Sequence, residues 1–485
     1  MSDTTHDVIV IGGGPGGEVA VNTLVKGGKR VALVEQELIG GECTNWGCIP
    51  SKTLLRPAEL IGASDRTAGV TVAQPDWPSL ASYRDYMVSD HDDGPRADRY
   101  RKRGVTVVKS PGRILSEGVV EAGNEQLRAD AIIVATGSEV AIPPISGLAE
   151  AGYWTNREAT ALTEIPESIV IIGGGAVGVE FATVFAALGV PVTLVTRAAR
   201  LLPQVDEEIA ALLTDDLRRR GVQVVCDTGI GAVTRVDGRL TLLLSTGAAL
   251  DTAAVLVAAG RAANTDGLDL AAAGVDVDGR GRIVVDRYYR TSAPGVCAAG
   301  DAVGAGLAST AAQQGRAAAC HACGLVVGVA TDQLAASAVY GMPEVAGVGM
   351  TEAQARAADL PHAVGRCDLA ATARGVIAGH GGLLKLVFRA DDRRLLGVHC
   401  VGDLAAEVLG MGHVALHSGW SVERFLALGL NTPTYAEAYH DAAVDGLVRL
   451  ARMTAPRPAA AGEPERDDLP DRDQRSPRAG VVGVA

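Results

Sequence analysis

Asp7-Val-Ile-Val-Ile-Gly-Gly-Gly-Pro-Gly-Gly17 reads as a short buried strand, a glycine turn and the start of a helix. Gly12, Gly14 and Gly17 hold the G-x-G-x-x-G spacing. The first glycine permits the tight turn, the second lets backbone approach a pyrophosphate, and the third packs helix on strand. Glu35 closes the following strand, Val31 to Glu35, where a carboxylate accepts hydrogen bonds from an adenosine ribose. The spacing alone also suits a merely tight βαβ turn. Strand, helix and acid together select dinucleotide binding.

The same pattern returns as Ser168-Ile-Val-Ile-Ile-Gly-Gly-Gly-Ala-Val-Gly178, with Gly173, Gly175 and Gly178 in register and a second strand from Val192 to Thr196. Each copy also ends alike, in Ile132-Ile-Val-Ala-Thr-Gly137 and Val255-Leu-Val-Ala-Ala-Gly260. Two nucleotide-binding domains in one chain is the simplest reading. Where the first copy has Glu35, the second has Thr196, followed by Arg197 and Arg200. An acid would repel a 2′-phosphate, whereas Thr and Arg accommodate one, so this site is expected to take NADP(H) and also NAD(H). Ordinary solvated loop arginines are the alternative.

Between the copies lies Gly40-Gly-Glu-Cys-Thr-Asn-Trp-Gly-Cys-Ile-Pro-Ser-Lys52. The spacing of Cys43 and Cys48 lets both sulfurs meet near a helix start, where the dipole stabilises a thiolate. Lys52, one helical turn on, faces the same side. A disulfide here is a working part rather than a staple, and two buried structural thiols are the bland alternative. Cys320, His321 and Cys323 lack a second ligand pair and read as packing in a buried helix, so no metal site is expected. Cys226, Cys297, Cys367 and Cys400 lie in apolar strand patterns and read as inert, and His399 and His413 as satisfied core or interface histidines.

A third buried strand, Gly295-Val-Cys-Ala-Ala-Gly-Asp301, precedes a helical run from about Thr310 to Val327. The expected organisation is a first nucleotide domain split over 1–150 and 281–334, a second over 151–280, and a C-terminal α+β unit over 335–453. A disordered tail follows over 454–485. The fold class is α/β, with two Rossmann-like domains and the C-terminal domain. Sixty glycines in 485 residues suit such tightly packed layers. A net charge of −13 argues against nucleic acid and against anionic membrane, since both reward basic surfaces. The N-terminal segment has no basic stretch ahead of its short apolar run, and no span reaches ~18 apolar residues, so a cytoplasmic protein is expected.

With these pieces placed, residues 5–453 resemble the flavin-dependent pyridine nucleotide–disulfide oxidoreductases, which include dihydrolipoyl dehydrogenase and glutathione reductase. The resemblance rests on the first fingerprint, Cys43 to Lys52, Ala135-Thr136-Gly137, the second fingerprint with Glu180, and Gly300-Asp301. It implies FAD in the first domain, NAD(P)H in the second and a homodimer interface in the last. It further implies that Asp301 contacts the FAD ribityl chain and that Lys52 pairs with Glu180 beside flavin N5. The helix opening near Thr310 is expected to aim at the flavin C2 carbonyl.

Within the family, Cys43-Thr-Asn-Trp-Gly47, Gly260-Arg-Ala-Ala-Asn-Thr-Asp266, Leu307-Ala-Ser309 with Gln314-Gly-Arg316, and Pro433-Thr-Tyr-Ala-Glu-Ala-Tyr439 look most like the soluble NAD(P)+ transhydrogenases. Disulfide reductases of the family carry a His before the Pro of the C-terminal motif, paired with a Glu. Here Thr432 stands there and only Glu437 survives. Losing that acid–base group is expected to slow dithiol–disulfide exchange roughly 10²–10⁴-fold. Ala176 lies where some relatives have a gating Tyr, leaving the nicotinamide pocket open. The expected activity is hydride transfer between NADPH and NAD+ through the flavin. A dihydrolipoyl dehydrogenase-like reductase of a small disulfide, a quinone or other acceptor reductase, and a non-enzymatic redox sensor are the alternatives. Retention of both cysteines favours the disulfide reductase and the sensor.

Overall fold

A computed structural model describes residues 5–72, 74–325 and 335–454. The expected boundary at 334 and, beyond Thr454, the expected tail lie outside the described residues. The fold is α/β, built on two Rossmann-like sheets and a C-terminal antiparallel sheet.

In the first sheet the parallel strands run in the order Thr106–Val108, Val31–Val34, Thr5–Ile11, Glu125–Val134. Val296–Ala298 adds to the far half of Glu125–Val134, while Val119–Ala122 and Gly112–Ser116 pair antiparallel beyond its near half. Val8, Ile9, Val10, Leu33 and Ile133 are fully buried, as a strand covered on both faces demands. Helices Pro15–Lys26 and Ala308–Ala322 cross at Gly16 and Gly315, where a Cβ on Gly315 would lie 2.1 Å from the Gly16 carbonyl oxygen. Only two glycines allow that approach. The second of these helices ends at Ala322 rather than running on to Val327, because Gly324 turns left-handed at φ +77°. Val327 itself lies outside the described residues.

The second sheet is parallel in the order Gln223–Val225, Val192–Val195, Ile169–Ile172, Ala254–Val257, with a three-stranded antiparallel sheet beside it. A two-stranded ribbon, Ser138–Val140 against Arg261–Ala263, links the two nucleotide folds. The C-terminal sheet has five antiparallel strands, ordered Ser337–Val339, Glu344–Gly349, Leu395–Gly402, Leu383–Arg389, His362–Asp368. Helices Ala405–His417 and Ala438–Thr454 cover it through Phe388, Phe425 and Tyr439.

One buried cation joins the second nucleotide fold to this last sheet. Lys385, 3% exposed, places Nζ 3.0 Å from Asp206, 3.2 Å from Glu208 and 2.8 Å from Glu352. Asp206 also caps helix Glu207–Arg219 by accepting the Glu208 amide. Arg366 joins Glu208 to Glu352 from the other side, so every buried charge has a partner. No helix among the described residues is long and apolar enough to cross a membrane.

Candidate active site

The glycines divide by what surrounds them. A Cβ on Gly12 would meet the Ala135 carbonyl at 2.2 Å, and one on Gly17 would meet the Gly12 carbonyl at 1.9 Å. Gly173 and Gly178 repeat this against Ala258 and Gly173, at 2.2 and 1.9 Å. Gly14 and Gly175 differ: the nearest atom to a Cβ on Gly14 is Gly41 Cα at 3.9 Å, and nothing lies within 4 Å of one on Gly175. Packing explains the first and third glycines of each motif, and leaves open space at the middle one, where a pyrophosphate can approach the backbone.

The helix starts agree. Helices Pro15–Lys26, Ala176–Ala187 and Ala308–Ala322 open without a side-chain cap. Their first-turn amides stay available to a phosphate or a developing anion. Thr310 lies in the first turn of the third helix, 9% exposed. Glu35 receives the Gly13 amide at 2.6 Å and the Glu37 amide at 2.7 Å. Burial nevertheless pushes its carboxyl above the usual range, against those two hydrogen bonds.

Asp301 sits at the end of the first sheet, accepting Ser138 Oγ at 2.5 Å and the Gly306 amide at 3.0 Å. Arg261 donates to Ser138 Oγ at 2.7 Å and approaches Asp301 at 3.9 Å. Gly300 donates its amide to the buried Gln314, 2.8 Å away. Thr136 Oγ1 donates to the Asn264 carbonyl at 2.6 Å, tying the loop Ala135–Gly137 to the strand after Gly260. These residues and the first fingerprint line one rim, and their donors and acceptors fit a flavin dinucleotide.

Cys43 lies in the short helix Gly41–Asn45 and Cys48 opens helix Cys48–Arg66, so the dipole of the longer helix falls on Cys48. Both are free thiols. The neighbouring Cys43 lowers the Cys48 thiol to about 7 against the opposing effect of burial, with Lys52 helping. The same contact, with burial, drives Cys43 upward. Cys48, at the helix start, is therefore the sulfur that favours the thiolate. Arg157 fixes this corner, bonding Glu42 at 2.6 Å and stacking 4.1 Å from the centre of the Trp46 ring.

Lys52 Nζ meets Glu180 Oε2 at 2.7 Å, joining the first nucleotide fold to the second. The backbone amide of Tyr340 donates to Glu180 Oε1 at 3.1 Å, and the Tyr340 ring covers Lys52 at 5.0 Å. Tyr340, Ser138, Gln314 and Arg157 were not foreseen as site residues; each is far in sequence from the group it serves.

Two expectations need correction. Arg200 is not available to a 2′-phosphate: its guanidinium is held by the carbonyls of Leu201, Leu202, Pro203 and Val205. Arg197 is exposed beside the buried Thr196 and carries the positive charge alone. Glu437 accepts the Thr434 amide at 2.7 Å in a capping box at the turn Tyr435–Glu437, just before the last helix. Cys320, His321 and Cys323 are half-buried at a helix end rather than deep in the core. No cluster of three or more metal-ligating side chains occurs among the described residues.

Burial lifts Cys297 to about 11 and Cys367 and Cys400 to about 12, as inert thiols require. Cys226 falls just past its strand, half-buried. His399 is buried against the Met350 carbonyl, whereas His413 lies beside His417 on helix Ala405–His417, their Nε2 atoms 3.0 Å apart.

Two nucleotide folds meeting at a dithiol and a Lys–Glu ion pair define a dinucleotide-dependent oxidoreductase. The chain belongs to the pyridine nucleotide-disulphide oxidoreductase family, whose model matches residues 6–315, with the family's dimerisation domain over 335–443. It is an FAD-dependent oxidoreductase that uses NAD(P)H. It is 33% identical to the soluble pyridine nucleotide transhydrogenase of Marinomonas sp., over 93% of this chain and 100% of that one. To the soluble pyridine nucleotide transhydrogenase of Mycobacterium bovis it is 36% identical, over 92% and 98%. The structure of LpdA from Mycobacterium tuberculosis superposes with a TM-score of 0.82 at 26% identity, over 93% of this chain and 100% of that one. The HOCl-induced flavoprotein disulfide reductase RclA from Escherichia coli, solved as a Cu(II) complex, gives 0.81 at 26% identity, over 91% and 99%.

Proposed function

We propose that the protein is a soluble NAD(P)+ transhydrogenase, passing reducing equivalents from NADPH to NAD+ at one nicotinamide site. The observation that carries this is Thr432: where the resemblance puts the histidine of the disulfide reductases, this chain has a hydroxyl that does not titrate near neutrality. The relatives named as transhydrogenases, similar over nearly their whole length, support it.

Bound FAD would supply the hydride relay between the two nucleotides. Around it, Glu35, Gly14 and the uncapped helix Pro15–Lys26 hold the dinucleotide, Asp301 orients its linker, and the first turn of Ala308–Ala322 favours negative charge. Lys52, paired with Glu180, presents one fixed positive charge. Gly175 and the uncapped helix Ala176–Ala187 receive the pyrophosphate of the nicotinamide nucleotide, and Arg197 the 2′-phosphate when there is one. Ala176 and Val177 are exposed at the start of this helix, which suits a site that two nucleotides enter in turn. The C-terminal sheet forms a homodimer interface, and the protein works in the cytoplasm.

The second reading, reduction of a small disulfide or a quinone, is favoured by the Cys43–Cys48 contact and the low Cys48 pKa. FAD-loaded protein given NADPH and a spectrally distinct NAD+ analogue separates the two. Nucleotide-to-nucleotide transfer that survives Cys48→Ser is expected. Wild-type protein that reduces lipoamide or a quinone but transfers nothing between nucleotides overturns the proposal.

A further inference from the structure

Tyr340 stands where three parts of the chain converge. Lys52 comes from helix Cys48–Arg66, Glu180 from helix Ala176–Ala187, and Tyr340 from the turn after strand Ser337–Val339. Glu180 divides its oxygens between the other two: Oε2 takes the Lys52 ammonium at 2.7 Å, and Oε1 takes the Tyr340 amide at 3.1 Å. The ring of Tyr340 then covers the ammonium, 5.0 Å from its centre. Leu54, Leu55 and Val184 pack with the ring, and those are neighbours on the same two helices. The Tyr340 hydroxyl makes no hydrogen bond among the described residues, so the contact is made by the ring face and the backbone.

Without the ring, Glu180 alone fixes the Lys52 ammonium. A carboxylate binds a lysine as a point charge and leaves its four-carbon stem free to swing. A π face adds a second, directional attraction. The Lys52 side chain is 34% exposed, which places this attraction at the solvent-screened end of its range. That corresponds to roughly two- to five-fold in the population of ammonium held in place.

We infer that Tyr340 is a positioning residue, whose ring and amide hold the Lys52–Glu180 pair in register so that the C-terminal unit sets the charge presented to the flavin. This rests on the proposed FAD site. A cation close to the flavin favours its reduced, anionic form, so loosening Lys52 shifts the equilibrium toward the oxidised form.

The test is the reduction equilibrium of bound FAD against a reference dye in wild type, Tyr340→Phe and Tyr340→Leu, each first assayed for FAD content. Tyr340→Leu is expected to favour oxidised FAD by about two- to five-fold and to lower kcat with KM for NADPH unchanged, while Tyr340→Phe, which keeps the ring, tracks wild type. Tyr340→Met fills similar space without a π face and gives the same reading if the Leu variant does not fold. Wild-type protein that takes up no FAD defeats the functional reading itself. FAD bound normally, with Leu and Met variants matching wild type, overturns the role of Tyr340 alone, as does a Phe variant that falls as far as Leu.

Discussion

Removing the Cys43 thiol should raise the Cys48 pKa. Cys48 is held at about 7 chiefly by the neighbouring Cys43 thiol, which outweighs burial, while the Lys52 charge adds to the lowering. A hydrogen bond to a charged acceptor contributes about 1.5–3 kcal/mol, and a pKa unit is about 1.4 kcal/mol. Cys43→Ala therefore moves the midpoint upward by about 1–2 units, leaving burial as the dominant influence. Below the midpoint the sulfur is a thiol and slow to alkylate; above it the thiolate reacts. Near pH 7 the reduced variant should react with iodoacetamide about 5- to 50-fold more slowly at Cys48 than wild type, converging at high pH. Peptide-resolved mass spectrometry of alkylation across pH 5 to 10 isolates Cys48 from the other cysteines. A midpoint that stays near neutrality or falls would refute the influence assigned to Cys43.

The two kinds of glycine should separate. Gly12→Ala, with its Cβ 2.2 Å from a carbonyl at φ +103°, is expected to lose about 2 kcal/mol or more in urea denaturation. Gly14→Ala should lose about 1 kcal/mol or less while its flavin content drops. Arg197→Ala is expected to raise KM for NADPH about 3- to 10-fold and leave NADH unaffected, a difference that added salt should erase; Arg200→Ala should not discriminate between the two nucleotides, since its guanidinium is already spent on loop carbonyls.

How much the sequence disclosed depended on how local each constraint is. Gly12 and Gly17 announce themselves because a tight turn is written in a few adjacent residues, and Cys43, Cys48 and Lys52 because they lie within ten residues, Lys52 one helical turn after Cys48. Glu180 was placed by resemblance, since its partner Lys52 lies in another fold. Tyr340 left no trace, because an aromatic before Gly341 reads alike whether it packs or guards a cation. Arg200 misled for a related reason: a guanidinium facing solvent and one facing four carbonyls have the same letter. The helix limit at Ala322 was overrun because the apolar pattern continues past Gly324, and only backbone direction ends it.

The Lys385 knot also has a mechanical side. Three carboxylates gripping one sunken ammonium weld the second nucleotide fold to the C-terminal sheet, so those two bodies swing together or not at all. The thin ribbon of Ser138–Val140 and Arg261–Ala263 then ties that welded pair to the first nucleotide fold. Because Arg261 of that ribbon leans on Ser138 and Asp301, this tie and the flavin's expected footing share the same few atoms.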